Sequence, residues 1–301
     1  MLPTKPEPGP TLPPTNRRSG NPPICAHDAA SIPRVTLQRY TDRRVLITGA
    51  GSGIGQATAL RILDEGGTVV AADVSESGLA DTRTKAGDSG ARLTTTVVDV
   101  GSEDSVIDGV ASAVAAMGGL DALVNGAGIL RSWHFTDTTL ADFEHVLRVN
   151  LIGTFLVTRA AIPALLTGTA PAVVNFSSTS ANYAHPYMAA YAASKGGIQA
   201  MTHTLALEFS KAGIRFNCVQ PGSISSGMTD GTGQSRQSIG PGLPEDADYT
   251  LFGKITPTLA VEGGGMFARP DAVAAVVAML AAPEAYFVTG TEVRIDGGTH
   301  M

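Results

Sequence analysis

The chain has 301 residues, 43% of them hydrophobic and 16% charged, with a formal net charge of -6. That is enough apolar sequence for a sizeable core, and it offers no broad positive field of the kind that draws nucleic acid or an anionic membrane, so a small molecule is the expected partner. Two cysteines, Cys25 and Cys218, exclude a disulfide framework and have no zinc-ligand spacing, which fits a reducing, cytoplasmic compartment.

The N-terminal stretch differs from the rest: half of the 18 prolines lie between Pro3 and Pro33, with almost no hydrophobic periodicity. Residues 1–40 are therefore expected to form a disordered or loosely docked extension, and they lack the continuous apolar run of a secretory signal. From Arg44 onward, short β-branched runs alternate with longer alanine-rich stretches, the pattern of parallel strands joined by crossover helices. The expected strands are Val45–Thr48, Thr68–Asp73, Leu93–Asp99, Ala122–Asn125, Ala172–Ser177, Ile214–Val219 and Thr291–Ile295. Continuous apolar character in "TVVAAD", "AVVNFSS" and "RFNCVQPG" marks strands covered on both faces. The fold class expected over 41–301 is α/β: one doubly wound, Rossmann-type domain with a seven-stranded parallel sheet and helices on both sides. The apolar stretch Ala272–Ala282 is about half the roughly 20 residues a membrane span needs and reads as a packed helix. Residues 223–269, rich in glycine and proline and weak in periodicity, read as a lid over the substrate.

"VLITGAGSGIGQATAL" places Gly49, Gly51, Gly53 and Gly55 between the first strand and the first helix. Glycines there allow a tight turn and let backbone amides and the helix N-terminus approach a pyrophosphate, although such turns also occur as ordinary connections. Asp73 ends the second strand at the spacing where a carboxylate accepts hydrogen bonds from the adenosine ribose. It would repel a 2′-phosphate, and Ser52, Val74 and Ser75 supply no cation, so NAD(H) is expected in preference to NADP(H). The alternative is an aspartate that caps the next helix.

Further on, "HPYMAAYAASKGGIQAMTHTLALEF" sets Tyr191 and Lys195 four apart, on one face of a helix. A phenol has an ordinary pKa near 10, but a nearby ammonium and an oxidised nicotinamide would both favour its phenolate. The six histidines are scattered without metal-ligand spacing, so no metal is expected.

From Arg44 to the end, these motifs in their order, "TGAGSGIG", "NGAG", "NFSS", "YAASK" and "PG", resemble the short-chain dehydrogenase/reductase family. The resemblance implies a catalytic tetrad of Asn150, Ser178, Tyr191 and Lys195: Ser178 holds the substrate oxygen, Tyr191 is the acid/base, Lys195 binds the nicotinamide ribose and tunes Tyr191, and Asn150 holds a water for proton relay. It also implies cofactor contacts from Gly49, Ser52, Gly53, Ile54, Gly55, Asp73, Asp99, Val100, Asn125, Tyr191, Lys195, Pro221, Gly222, Ile224 and Ser226. Gly126 stands where the family usually has a second asparagine, a departure expected to loosen local hydrogen bonding. The implied reaction is hydride transfer between a secondary alcohol and a ketone. Reduction of a 3-oxoacyl thioester is the chemical alternative, and a non-catalytic NAD(H)-binding sensor or scaffold is the alternative of another class. Residues 130–135, the loop between Ser178 and Tyr191, and the lid are expected to face the substrate, with Trp133, His134, Tyr183, His185, Tyr187 and Met188 as pocket candidates. Helices after Leu151 and Met201 could pack a second subunit, and the resemblance implies a homotetramer or homodimer.

Overall fold

The computed structural model describes residues 37–230, 241–259, 261 and 266–301. Most of the expected extension, 1–36, and the lid positions 231–240, 260 and 262–265 lie outside the described residues.

Seven strands form one parallel sheet: β1 Arg44–Thr48, β2 Thr68–Asp73, β3 Leu93–Val97, β4 Ala122–Asn125, β5 Ala172–Phe176, β6 Arg215–Pro221 and β7 Glu292–Ile295. Their order across the sheet is β3-β2-β1-β4-β5-β6-β7. The order reverses between β1 and β4, and the crevice beyond the C-terminal ends of the strands there is where doubly wound sheets take ligands.

Side-chain alternation along the buried strands feeds two cores. Val45, Ile47, Val69, Ala71, Val124 and Val219 meet the helices α1 Gly53–Asp64, α2 Glu76–Ala86 and α8 Pro270–Ala281, while Leu46, Val70, Leu123, Val173 and Phe216 meet α3 Glu103–Met117, α5 Gly153–Leu165 and α6 Ala189–Glu208. Strands buried on both faces need apolar residues at successive positions, which is why the continuous runs were readable as strands. The remaining helices are α4 Leu140–Leu147 and the single turn α7 Gly227–Asp230. Together α4 and α5 make a 26-residue helical run, Leu140–Leu165, long and apolar enough to cross a membrane. Val146, Leu156, Val157, Ala161 and Leu165 are nevertheless buried in the protein interior, as in the core helix of a globular domain.

The packed body begins before position 41, a correction to the expected boundary of the extension. Tyr40 is fully buried and its hydroxyl donates to the Ala278 carbonyl (2.6 Å), while Arg39 pairs with Glu65 and Glu284. The basic and proline-rich composition upstream concealed these anchors. At the same end of the molecule, buried Arg43 and Arg215 donate to the Leu280, Ala281 and Ala282 carbonyls, satisfying acceptors that the end of α8 leaves open. Desolvation holds the Arg215 pKa down at about 10.

Within the described part of the lid, the two ends are tied together. Ile224 bridges Ala268, with Ser225 N donating to Ala268 O (2.8 Å) and Ala268 N to Ser223 O (3.0 Å), and a 3₁₀ segment, Tyr249–Lys254, follows Asp248.

Candidate active site

A cleft of about 300 Å³ opens at the switch point. One end is the turn from β1 into α1. Gly49 and Gly53 have positive φ (71° and 53°), and a Cβ on Gly55 would lie 2.1 Å from the Gly49 carbonyl oxygen, so these positions of the turn favour glycine. Ser52 is the N-cap of α1, yet its hydroxyl accepts no bond from the helix amides, which leaves them for a bound anion. This cradle fits a dinucleotide pyrophosphate.

Asp73 stands against the turn: its Oδ2 accepts from Gly51 N (2.9 Å) and its Oδ1 from Ser75 N (2.9 Å). The helix-capping alternative is not what the structure shows: Ser75, not Asp73, caps α2, through Gly78 N. Lys85 and Arg269 line an adjoining depression and each pairs with an aspartate, Asp81 and Asp271.

Of the residues expected at the cofactor, Gly49, Ser52, Gly53, Ile54, Gly55, Asp73, Asp99, Val100, Tyr191, Lys195, Pro221, Gly222, Ile224 and Ser226 all line this one cleft. Asn125 does not. Its side chain points into the sheet–helix layer, donating to Thr158 Oγ1 (2.9 Å) and to Asn175 Oδ1 (2.8 Å), and Asn175 passes the chain on to Thr202. Asn125 therefore braces β4 against β5 and α5. Nor does Gly126 loosen the motif: its amide still donates to Thr48 O and Ala127 N to Thr48 Oγ1, and a Cβ at Gly126 would lie 2.8 Å from that Thr48 carbonyl.

The other end of the cleft gathers Ser178, Tyr191 and Lys195. Ser178 follows β5; its hydroxyl accepts from Ser180 N and lies close enough to the Tyr191 phenol to lower its pKa. Lys195 Nζ donates to Phe176 O (2.7 Å) and lies 5.6 Å from the centroid of the Tyr191 ring. Burial, the dominant influence, pushes the Tyr191 phenol up against the lowering effect of Ser178, and it pushes Lys195 down to about 8. Desolvation thus drives each group toward its neutral form.

Asn150 is fully buried beneath this centre, in a π-helical turn, Arg148–Ile152, between α4 and α5. The extra residue in that turn aims its carboxamide at the strand end, where Oδ1 accepts from Ile129 N (2.8 Å) and Nδ2 donates to Ile129 O (3.0 Å) and Ser194 Oγ (3.0 Å). A Cβ on Gly128 would lie 3.2 Å from Asn150 Oδ1 and 3.6 Å from Lys195 Nζ, so Gly128 keeps the space between them open.

Several contributors were missed from sequence. Ser177 Oγ donates to Lys195 O and Ser194 Oγ to Tyr191 O, fastening the catalytic turn of α6 to β5 and to Asn150. Thr229 also lines the cleft and accepts from Ser226 N. Isolated serines and threonines carry no spacing signal. None of the six pocket candidates lines the cleft itself; Trp133, His134 and Tyr187 meet one another, Trp133 N donating to Tyr187 O and the His134 and Tyr187 rings lying 5.2 Å apart. Tyr183 and His185 form another group against His300, and Met188 is buried. Cys218 is buried in β6 with its thiol pushed up to about 12 by desolvation, an inert packing residue.

Residues 43–237 match the family model described as short chain dehydrogenase. The chain is 37% identical to the 3-oxoacyl-acyl-carrier-protein reductase FabG of Thermotoga maritima over 260 residues, which cover 86% of this chain and 98% of that protein. It is 34% identical to levodione reductase of Leifsonia aquatica, covering 86% and 95%. Among solved structures, a short chain dehydrogenase from Mycobacterium paratuberculosis bound to NAD superimposes with a TM-score of 0.77 at 29% identity, covering 87% of this chain and 98% of the other. Fold, cleft and relatives define an oxidoreductase that acts on CH–OH groups with a nicotinamide cofactor. The chain belongs to the short-chain dehydrogenase family.

Proposed function

We propose that the protein is an NAD(H)-dependent enzyme interconverting a secondary alcohol and a ketone, with Tyr191 as the acid/base. The observation that carries this reading is the convergence of Ser178, Tyr191 and Lys195 at one end of a cleft whose other end is the glycine cradle. The cofactor supplies or accepts the hydride. Ser178 donates to the substrate oxygen, and Tyr191, in the same cleft, gives the proton in reduction and takes it in oxidation. Lys195 is the cation that favours the Tyr191 phenolate once it is protonated, and its carbonyl anchorage to Phe176 fixes its place. Asn150 holds the Ile129 backbone against the centre, and any relay of protons through water starts beside it.

Preference for NAD(H) over NADP(H) is supported by Asp73, whose carboxylate abuts Gly51 at the position of the adenosine ribose, and by the pairing of Lys85 and Arg269 with carboxylates. The similarity to the Thermotoga reductase favours a 3-oxoacyl thioester as the second reading of the substrate. A homo-oligomer is supported by the exposed apolar residues Phe155, Leu207, Tyr286 and Phe287, and light scattering on the purified protein tests it. A cytoplasmic location is the compartment that two cysteines and NAD(H) chemistry suit.

The testing experiment is a fluorescence titration with NADH and NADPH, then a panel of cyclic, aromatic and 3-oxoacyl ketones scored by NADH oxidation. Turnover with NADH, and tighter binding of NADH than NADPH, is expected. Stronger binding of NADPH would overturn the role given to Asp73.

A further inference from the structure

The turn that follows β7, residues 296–300, touches three parts of the site at once. It backs the cofactor floor: a Cβ on Gly222 would lie 2.7 Å from the Cβ of Asp296, beside the bond that Gly222 N makes to Ile295 O at the end of β7 (2.9 Å). It holds the lid: Thr258 N and Leu259 N both donate to Gly297 O (2.9 Å each). It also holds the loop between Ser178 and Tyr191. The His300 ring stacks on Tyr183 with centroids 4.1 Å apart and an interplanar angle of 18°, and lies 5.7 Å from the His185 ring. Arg294, just before the turn, bonds the Tyr183 hydroxyl and sits over its ring.

His300 is the piece that joins these contacts. Its side chain is 9% exposed, its Nδ1 lies 3.1 Å from Asp296 Oδ2, and its backbone N donates to the same oxygen. Asp296 is in turn fixed by Gly298 N and faces Arg294. One imidazole therefore spans from the carboxylate that abuts Gly222 to the aromatic ring that carries the substrate loop. At the other end of that loop Tyr187, with its backbone at a positive φ of 67°, accepts from Asp248 N of the lid and stacks on Phe252. The loop is thus gripped at both ends by groups whose own backbone is lid, or turn tied to lid.

We infer that His300 is a positioning residue, which joins the substrate loop and the lid into one unit and so sets affinity for the carbonyl substrate without touching the reacting atoms. The inference rests on the proposed site at Ser178 and Tyr191 for its kinetic consequence, but not for its mechanical one. Loss of one aromatic stack and one charge-assisted hydrogen bond corresponds to about a tenfold effect.

The test is amide hydrogen exchange of the NADH-bound full chain, wild type against His300→Ala and His300→Phe, with kinetics on cyclohexanone and acetoacetyl-coenzyme A as probes. In His300→Ala, exchange is expected to quicken about tenfold in segments 183–188 and 257–259 together while β1, β4 and β5 keep their protection, with KM rising about tenfold, kcat within about threefold and NADH affinity unchanged. His300→Phe keeps the stack on Tyr183 and should restore most of both. Unchanged exchange in the two segments, loosening of only one of them, or loosening spread evenly over the sheet would overturn the inference. A failure of the catalytic reading shows separately, as retained turnover in Tyr191→Phe or no turnover of any ketone by wild type, and leaves the exchange result to judge His300.

Discussion

Replacing Lys195 by methionine is expected to make the protein more stable and inactive. The ammonium is buried, and desolvation brings its pKa from 10.5 to about 8. Each pKa unit is worth about 1.4 kcal/mol, so keeping this group protonated at neutral pH costs the fold about 3 kcal/mol relative to an amine with its ordinary pKa. The sign follows from proton counts: between pH 8 and 10.5 the unfolded chain holds more protons at this site than the folded one, so wild-type stability from this residue rises with pH across that window and the cost is fully present below it. Methionine fills a similar volume without charge, while the Phe176 carbonyl loses its partner at a cost of about 1 kcal/mol. A net gain of about 2 kcal/mol corresponds to a Tm rise of roughly 4–8 °C at pH 7 for a domain of this size. Differential scanning calorimetry of both proteins from pH 7 to 10 is the assay. A variant no more stable than wild type at pH 7, or a gap that fails to narrow toward pH 10, would refute the claim that desolvation dominates Lys195.

Other expectations are as direct. Asp73→Ser should lower the NADH-to-NADPH ratio of kcat/KM at least about tenfold, as expected for removal of a like charge beside the 2′-phosphate; an unchanged ratio in steady-state assays would contradict the cofactor argument. Gly55→Ala places a Cβ 2.1 Å from the Gly49 carbonyl and should abolish NADH binding measured by fluorescence titration, whatever its effect on folding. Tyr40→Ala empties a fully buried aromatic site and should destabilise the protein by about 3 kcal/mol in urea titrations, whereas an unaffected midpoint would return residues 37–40 to the loose extension.

The strands were legible because both faces of the sheet are covered: "TVVAAD" and "AVVNFSS" had to be apolar throughout, and β2 and β5 lie where those runs lie. The cleft residues were legible because glycine, proline and the Tyr–Lys pair each have a steric or spacing signature that survives in one dimension. What escaped depends on contacts distant in sequence. Tyr40 reads as part of a polar leader until its hydroxyl meets Ala278, more than two hundred positions away. The depth at which Tyr191 is buried, which pushes its phenol up, is invisible in sequence. The His300 stack on Tyr183 joins two segments over a hundred residues apart with no shared pattern.

The central claim is that Tyr191 moves the proton, and the most direct measurement is the kinetics of Tyr191→Phe with NADH and any ketone that wild type reduces, together with NADH affinity. The account predicts loss of turnover by a factor of at least about 10² with NADH binding within about threefold of wild type, since phenylalanine keeps the ring and removes only the hydroxyl. A variant that keeps most of its kcat would remove Tyr191 from its assigned role.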